Sequence, residues 1–168
     1  MGVHLLLGIG FISILFQDFK ERMISLWTLP WIFSIGMYQA WSDWLWEPWF
    51  LLSNLLFIGI QLLGVFLYFS IKHKGWINIT QHYLGVGDVL FFGALTSLFA
   101  PVQFCCFFIG SLLFILCLAG MYNWLITPLK TIPLAGAMSG CWLLYSLILS
   151  YYNLSSYDDW SLLKLLYG

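Results

Sequence analysis

Six apolar stretches follow one another between Val3 and Tyr152, and every charged residue but Asp88 lies in the connections between them or after the last. They run from about Val3 to Gln17, Leu26 to Trp41, Trp49 to Ile71, Val86 to Ala100, Val102 to Ile126 and Ile132 to Tyr152. A helix needs about 20 apolar residues, with a range of roughly 17 to 25, to cross a bilayer core. The chain is 62% hydrophobic and 8% charged, against about 25% charged in an average soluble domain. A soluble protein this apolar would be unable to cover its surface. The expectation is an all-α, polytopic integral membrane bundle of about six transmembrane helices, forming a single domain over residues 1–168.

Charge placement sets an expected topology. With the N-terminus outside, the inner connections hold Lys20, Arg22, Lys72, Lys74 and Lys130, and the outer ones hold Asp43, Glu47, Asp158 and Asp159; Lys164 is the exception. That is a positive-inside pattern. Many of the ten Trp sit near the ends of the apolar stretches, as an interfacial belt places them. The N-terminus has neither the basic region nor the cleavage site of a signal peptide, so the first stretch reads as a retained helix. A net charge of −1 gives no reason to expect nucleic acid as a partner. Cys105, Cys106, Cys117 and Cys141 lie in apolar stretches without a Cys-x-x-Cys pair. They read as small buried residues, not as a disulfide framework or a metal site.

One acid stands out. Asp88 heads the fourth apolar stretch in Gly85-Val86-Gly87-Asp88-Val89. An unpaired carboxylate within a bilayer costs about 2.5 kcal/mol or more at mid-depth, so an acid heading an apolar stretch marks a functional candidate. Gly85 and Gly87 thin the side-chain cover beside it and would let another backbone approach. Asp18 ends the first stretch, on the same expected face. The first and fourth stretches are both short, which places both acids at a wet, protein-lined surface.

Two acids on one face can hydrolyse a peptide bond. One, ionised, takes a proton from water; the other, protonated, donates to the carbonyl oxygen. Two neighbouring like charges resist joint ionisation, so the pair shares a proton and titrates as a unit. No cofactor and no metal is needed. Ordinary roles also fit: Asp18 as a loop acid or helix cap, and Asp88 as an N-cap or half of an ion pair. Lys20, Glu21 and Arg22 read as topology anchors. His73 and His82 read as interfacial residues, and His4 lies at the far face from the acids. No Ser-His-Asp or Cys-His set shares one face.

At these residues the chain resembles the aspartic prepilin peptidases, membrane enzymes with a Gly-x-Gly-Asp motif. Gly85-Val86-Gly87-Asp88 resembles the second aspartate motif of that family. Asp18, with Arg22 four residues on and Ile24 six on, is similar to the first. Ile132-Pro133-Leu134-Ala135-Gly136 is similar to the Ile-Pro stretch that opens the sixth helix. Leu90 stands where the family often has Lys, and Ser25 and Leu26 stand where it has Pro and Asn. The resemblance implies Asp18 and Asp88 as the catalytic pair, with Gly85, Gly87, Arg22 and Pro133 shaping the site. It implies type IV pilin-like precursor proteins as substrates, cut at the cytoplasmic face of a bacterial inner membrane. The cysteine-bearing loop of members that also methylate the product is not present in the sequence, so a peptidase without methyltransferase activity is expected. The presenilin group shares Gly-x-Gly-Asp but has Tyr-Asp at its first site, where this chain has Gln17-Asp18. Two non-enzyme readings stand beside these: a small transporter or secretion-assembly subunit that uses the acids as an ion or proton site, and an inactive relative.

Overall fold

The computed structural model describes residues 2–73, 85–125 and 132–160. Among the described residues six α-helices follow in order: α1 (Gly2–Glu21), α2 (Thr28–Ser42), α3 (Pro48–Lys72), α4 (Val86–Leu95), α5 (Pro101–Leu125) and α6 (Leu134–Tyr151). A 3₁₀ turn, Thr96–Leu98, extends α4. Among the described residues there is no strand, and the expected all-α bundle is what forms. Four helices, α1, α3, α5 and α6, are long and apolar enough to cross a membrane. The helix α2 has 15 residues and α4 has 10; at 1.5 Å per residue, neither spans a core of about 30 Å unaided.

Proline sets several of the helix starts. Pro48 and Pro101 open α3 and α5, Pro30 lies in the first turn of α2, and Pro133 precedes α6. The amide that proline lacks has no helical partner in a first turn. The end of α1 departs from the sequence expectation. The helix continues past Gln17 through Asp18 to Glu21, so Asp18 lies on a helix, not in a loop, and the first stretch is not short. It stops at Arg22, whose φ of 56° lets its N–H donate back to the Asp18 carbonyl at 3.1 Å. This is the left-handed cap that ends many helices, here on a non-glycine residue.

The helices α1 and α6 run antiparallel. Gly136 of α6 lies against Asp18 of α1, Gly140 lies against Leu15, and the Trp142 ring stacks on Phe11 at 4.0 Å. Ascending α6 thus descends α1, and the Gly136–Gly140 spacing lets the two backbones come close. Phe11 also meets Phe91 of α4 edge-on, while Phe92 of α4 and Phe57 of α3 both pack on Phe108 of α5. The core is therefore largely aromatic. Leu7, Phe11, Ile32, Phe91, Phe104 and Met138 are fully enclosed, and a broad apolar surface faces outward, as lipid contact demands.

At one end, residues 152–160 fold back over the short helices. The Tyr157 hydroxyl donates to the Ser97 carbonyl at 2.9 Å, with the Gly36 carbonyl at 3.3 Å. The Ala100 N–H donates to Ser156 O. Asp159 Oδ1 accepts from the Val102 and Gln103 amides at the start of α5. Asn54 of α3 donates through Nδ2 to the Thr96 and Phe99 carbonyls, at 3.0 and 2.9 Å. Backbone exposed by the early end of α4 is satisfied by these groups, as buried backbone must be. The four cysteines are free; Cys106 and Cys117 are exposed on outward sides of α5, against the expectation, while Cys105 and Cys141 are half-buried and Cys141 packs against the core.

Candidate active site

Three helix ends converge at the other end of the bundle: the last turn of α1 and the first turns of α4 and α6. Asp18 is 6% exposed, and its Oδ2 accepts the Gly136 N–H at 2.6 Å. Pro133 is the N-cap of α6, so Gly136 is its third residue. An amide there has no partner within its own helix and points toward the positive end of the helix dipole. Asp18 thus caps a helix more than a hundred residues away.

Asp88 is half-buried and is the third residue of α4, after the N-cap Gly85. Its carboxylate faces the backbone amide of Gly85, as the acid of a capping box does, and also the amide of Ala135. Asp18 is the charged group that acts on it electrostatically. Two consecutive amides of α6 therefore face the two acids: the Gly136 N–H is bonded to Asp18, and the Ala135 amide lies toward Asp88. The first turn of α6 supplies partial positive charge to both, which lowers the cost of two acids at one place.

The glycines do different work here. A methyl on Gly136 would stand 3.0 Å from Asp18 Cβ and from Phe19, so only glycine lets α6 come this near. A methyl on Gly85 would meet Asp88 Oδ2 at 3.2 Å, close enough to push the carboxylate. Gly87 departs from expectation. The space beside it is not open to another chain but is filled by Ile24, at ordinary contact distances of 3.4 to 3.8 Å.

Ile24 belongs to the link between α1 and α2. The Ser25 N–H donates to Gln17 Oε1 at 2.9 Å, tying this link back to α1. The Arg22 side chain is exposed, and Arg22 shapes the site through its backbone, at the left-handed turn one helical turn after Asp18. Pro133 shapes it by starting α6 where its amides reach the acids. Every basic residue among the described ones, Lys20, Arg22 and Lys72, lies at this end, whereas Asp43, Glu47, Asp158 and Asp159 lie at the other. Lys74, His82 and Lys130 fall outside the described residues.

Sequence reading missed Gln17 and the α6 amides, and took Ile24 only as part of the first aspartate motif, not as the neighbour of Gly87. Gln17 gave no periodic or motif signal that distinguishes it. Gly136 did give one, through its spacing to Gly140. Among the described residues no group of three or more His, Cys, Asp or Glu converges as a metal site would. A cavity of about 370 Å³ lies at the far end of the bundle, and it touches neither acid.

No protein-family model matches the chain, and neither a curated protein nor a solved structure matches it.

Proposed function

We propose that the chain is a membrane aspartic endopeptidase of the prepilin-peptidase kind. It would cut the basic leader from type IV pilin-like precursors by letting Asp18 and Asp88 activate one water. The observation that carries this reading is the meeting of the two carboxylates, one from α1 and one from α4, at the first turn of α6, where Asp18 accepts the Gly136 amide and acts electrostatically on Asp88. Two acids so held suit a shared proton: the ionised one takes a proton from water and the protonated one donates to the scissile carbonyl. The cluster of basic residues at the acid end supports a cytoplasmic placement by the positive-inside rule, with the N-terminus outside. A membrane-anchored substrate helix would present its leader junction at that depth.

The resemblance departs at Ser25 where the family has Pro, and this chain uses the difference. The Ser25 amide makes the hydrogen bond to Gln17, which proline has no hydrogen to form.

A second reading has one observation in its favour: each acid also caps a helix end. An inactive relative or a secretion-assembly subunit could keep both acids for that purpose alone. Purified protein mixed with a pilin-like precursor separates the two. Asp18→Asn and Asp88→Asn each retain an oxygen that accepts a backbone N–H but lose the acid. Peptidase activity should fall roughly a thousandfold in each variant, within the range of general acid–base catalysis, while the fold persists. Cleavage that survives either change removes the dyad.

A further inference from the structure

The cavity of about 370 Å³ at the far end has a lining the proposed hydrolysis does not use. Its size falls within the range of small-ligand sites, roughly 300–1,000 Å³. Asp43, Gln39, Phe99, Trp142, Tyr145 and Ser146 form much of its wall. None of the described residues lining it is Lys or Arg. Asp43 is held in place: Oδ1 accepts the Leu45 N–H at 3.0 Å and Oδ2 accepts the Ser155 hydroxyl at 2.6 Å. An ionised carboxylate has about four acceptor sites, so these two bonds leave it capacity. Gln39 Oε1 is enclosed and has no hydrogen-bond partner among the described residues. Its terminal amide torsion is soft, so a donor in the cavity can engage it. Three aromatic rings complete the wall, and ring faces attract cations.

The chemistry leans toward acceptors: a fixed carboxylate, an unpartnered amide oxygen and aromatic rings, with His4 the one basic side chain in the lining. It suits a cationic donor better than an anion. Exposed Trp41, Trp44, Tyr151 and Tyr152 surround this end of the bundle. Such a ring of aromatics marks headgroup depth. We propose that this cavity binds a primary ammonium group, carried by a lipid headgroup or by a small free amine.

The test uses the full chain purified in detergent and follows thermal unfolding at pH 8. Short-chain phosphatidylethanolamine, phosphatidylglycerol and free ethanolamine are added at matched concentrations. The ethanolamine lipid should raise the midpoint by roughly 5 °C at saturation, and the glycerol lipid should not. A matching rise with free ethanolamine assigns recognition to the ammonium alone; a rise only with the lipid assigns it to the headgroup. Asp43→Asn keeps the acceptor for Leu45 but removes the charge, and should abolish the rise. Ser146→Leu fills the cavity without touching Asp43, and decides the matter if the first variant does not fold. Equal response to both lipids, or an undiminished rise in the folded variants, overturns the proposal.

Discussion

The two ends of the bundle solve the same problem in opposite ways. Each gathers helix termini whose backbone groups need partners. At the far end the partners come from a folded-back strip of chain: Tyr157, Ser156 and Asp159, helped by Asn54, close the gap left by short α2 and α4. Neutral side chains and backbone do most of that work. At the near end the partners are two ionisable side chains facing the first turn of α6, where Asp18 takes the Gly136 amide. A neutral cap would have served as well for stability, with no charge at the membrane edge. The far end uses one acid in this way, Asp159, and the near end two that meet. This contrast is what the proposed dyad beside a structural end would require.

The contrast sets the expected order of effects. The largest is the loss of cleavage in Asp18→Asn or Asp88→Asn, with little change in unfolding midpoint. Asn54→Leu comes next and should do the reverse. Asn54 is 1% exposed, and its loss leaves two enclosed carbonyls without a donor. Stability should fall by about 3 kcal/mol, read by thermal or denaturant unfolding, while the folded fraction cleaves normally. A specific loss of cleavage in Asn54→Leu would break the contrast.

Gly36→Ala should act in the same direction with a smaller effect. A methyl there would overlap Ser97 Oγ and crowd Leu98, so about 1–3 kcal/mol should be lost on unfolding. At the near end, Gly85→Ala should lower cleavage by displacing the Asp88 carboxylate, whereas Gly87→Ala should be nearly silent because Ile24 stands at ordinary contact distance. Equal loss in both would show that the glycines serve the substrate and not the acid. The smallest effect belongs to Ser25→Pro. It removes one exposed hydrogen bond to Gln17 and should cost about 1 kcal/mol, with cleavage reduced only as far as Ile24 moves.

The apolar stretches were legible because lipid-facing helices announce themselves by length and hydropathy. Their ends were less so. Gln17 to Glu21 reads as loop because it is polar, yet it is helical up to the left-handed turn at Arg22. Asp158 and Asp159 read as charges that fix topology. The second of them also caps α5 across more than fifty residues, a partnership without periodicity and hence without a sequence trace. The acids themselves were visible as isolated charges beside apolar stretches. What held them was not, since backbone amides have no letter in a sequence. Only Gly136, needed for close approach, left a mark.

The meeting of Asp18 and Asp88 involves a third helix as well as the two that carry them. The opening turn of α6 faces both acids, and its Gly136 amide grips the first of them. That helix has no charged side chain of its own, so its part in the pair is played wholly by backbone.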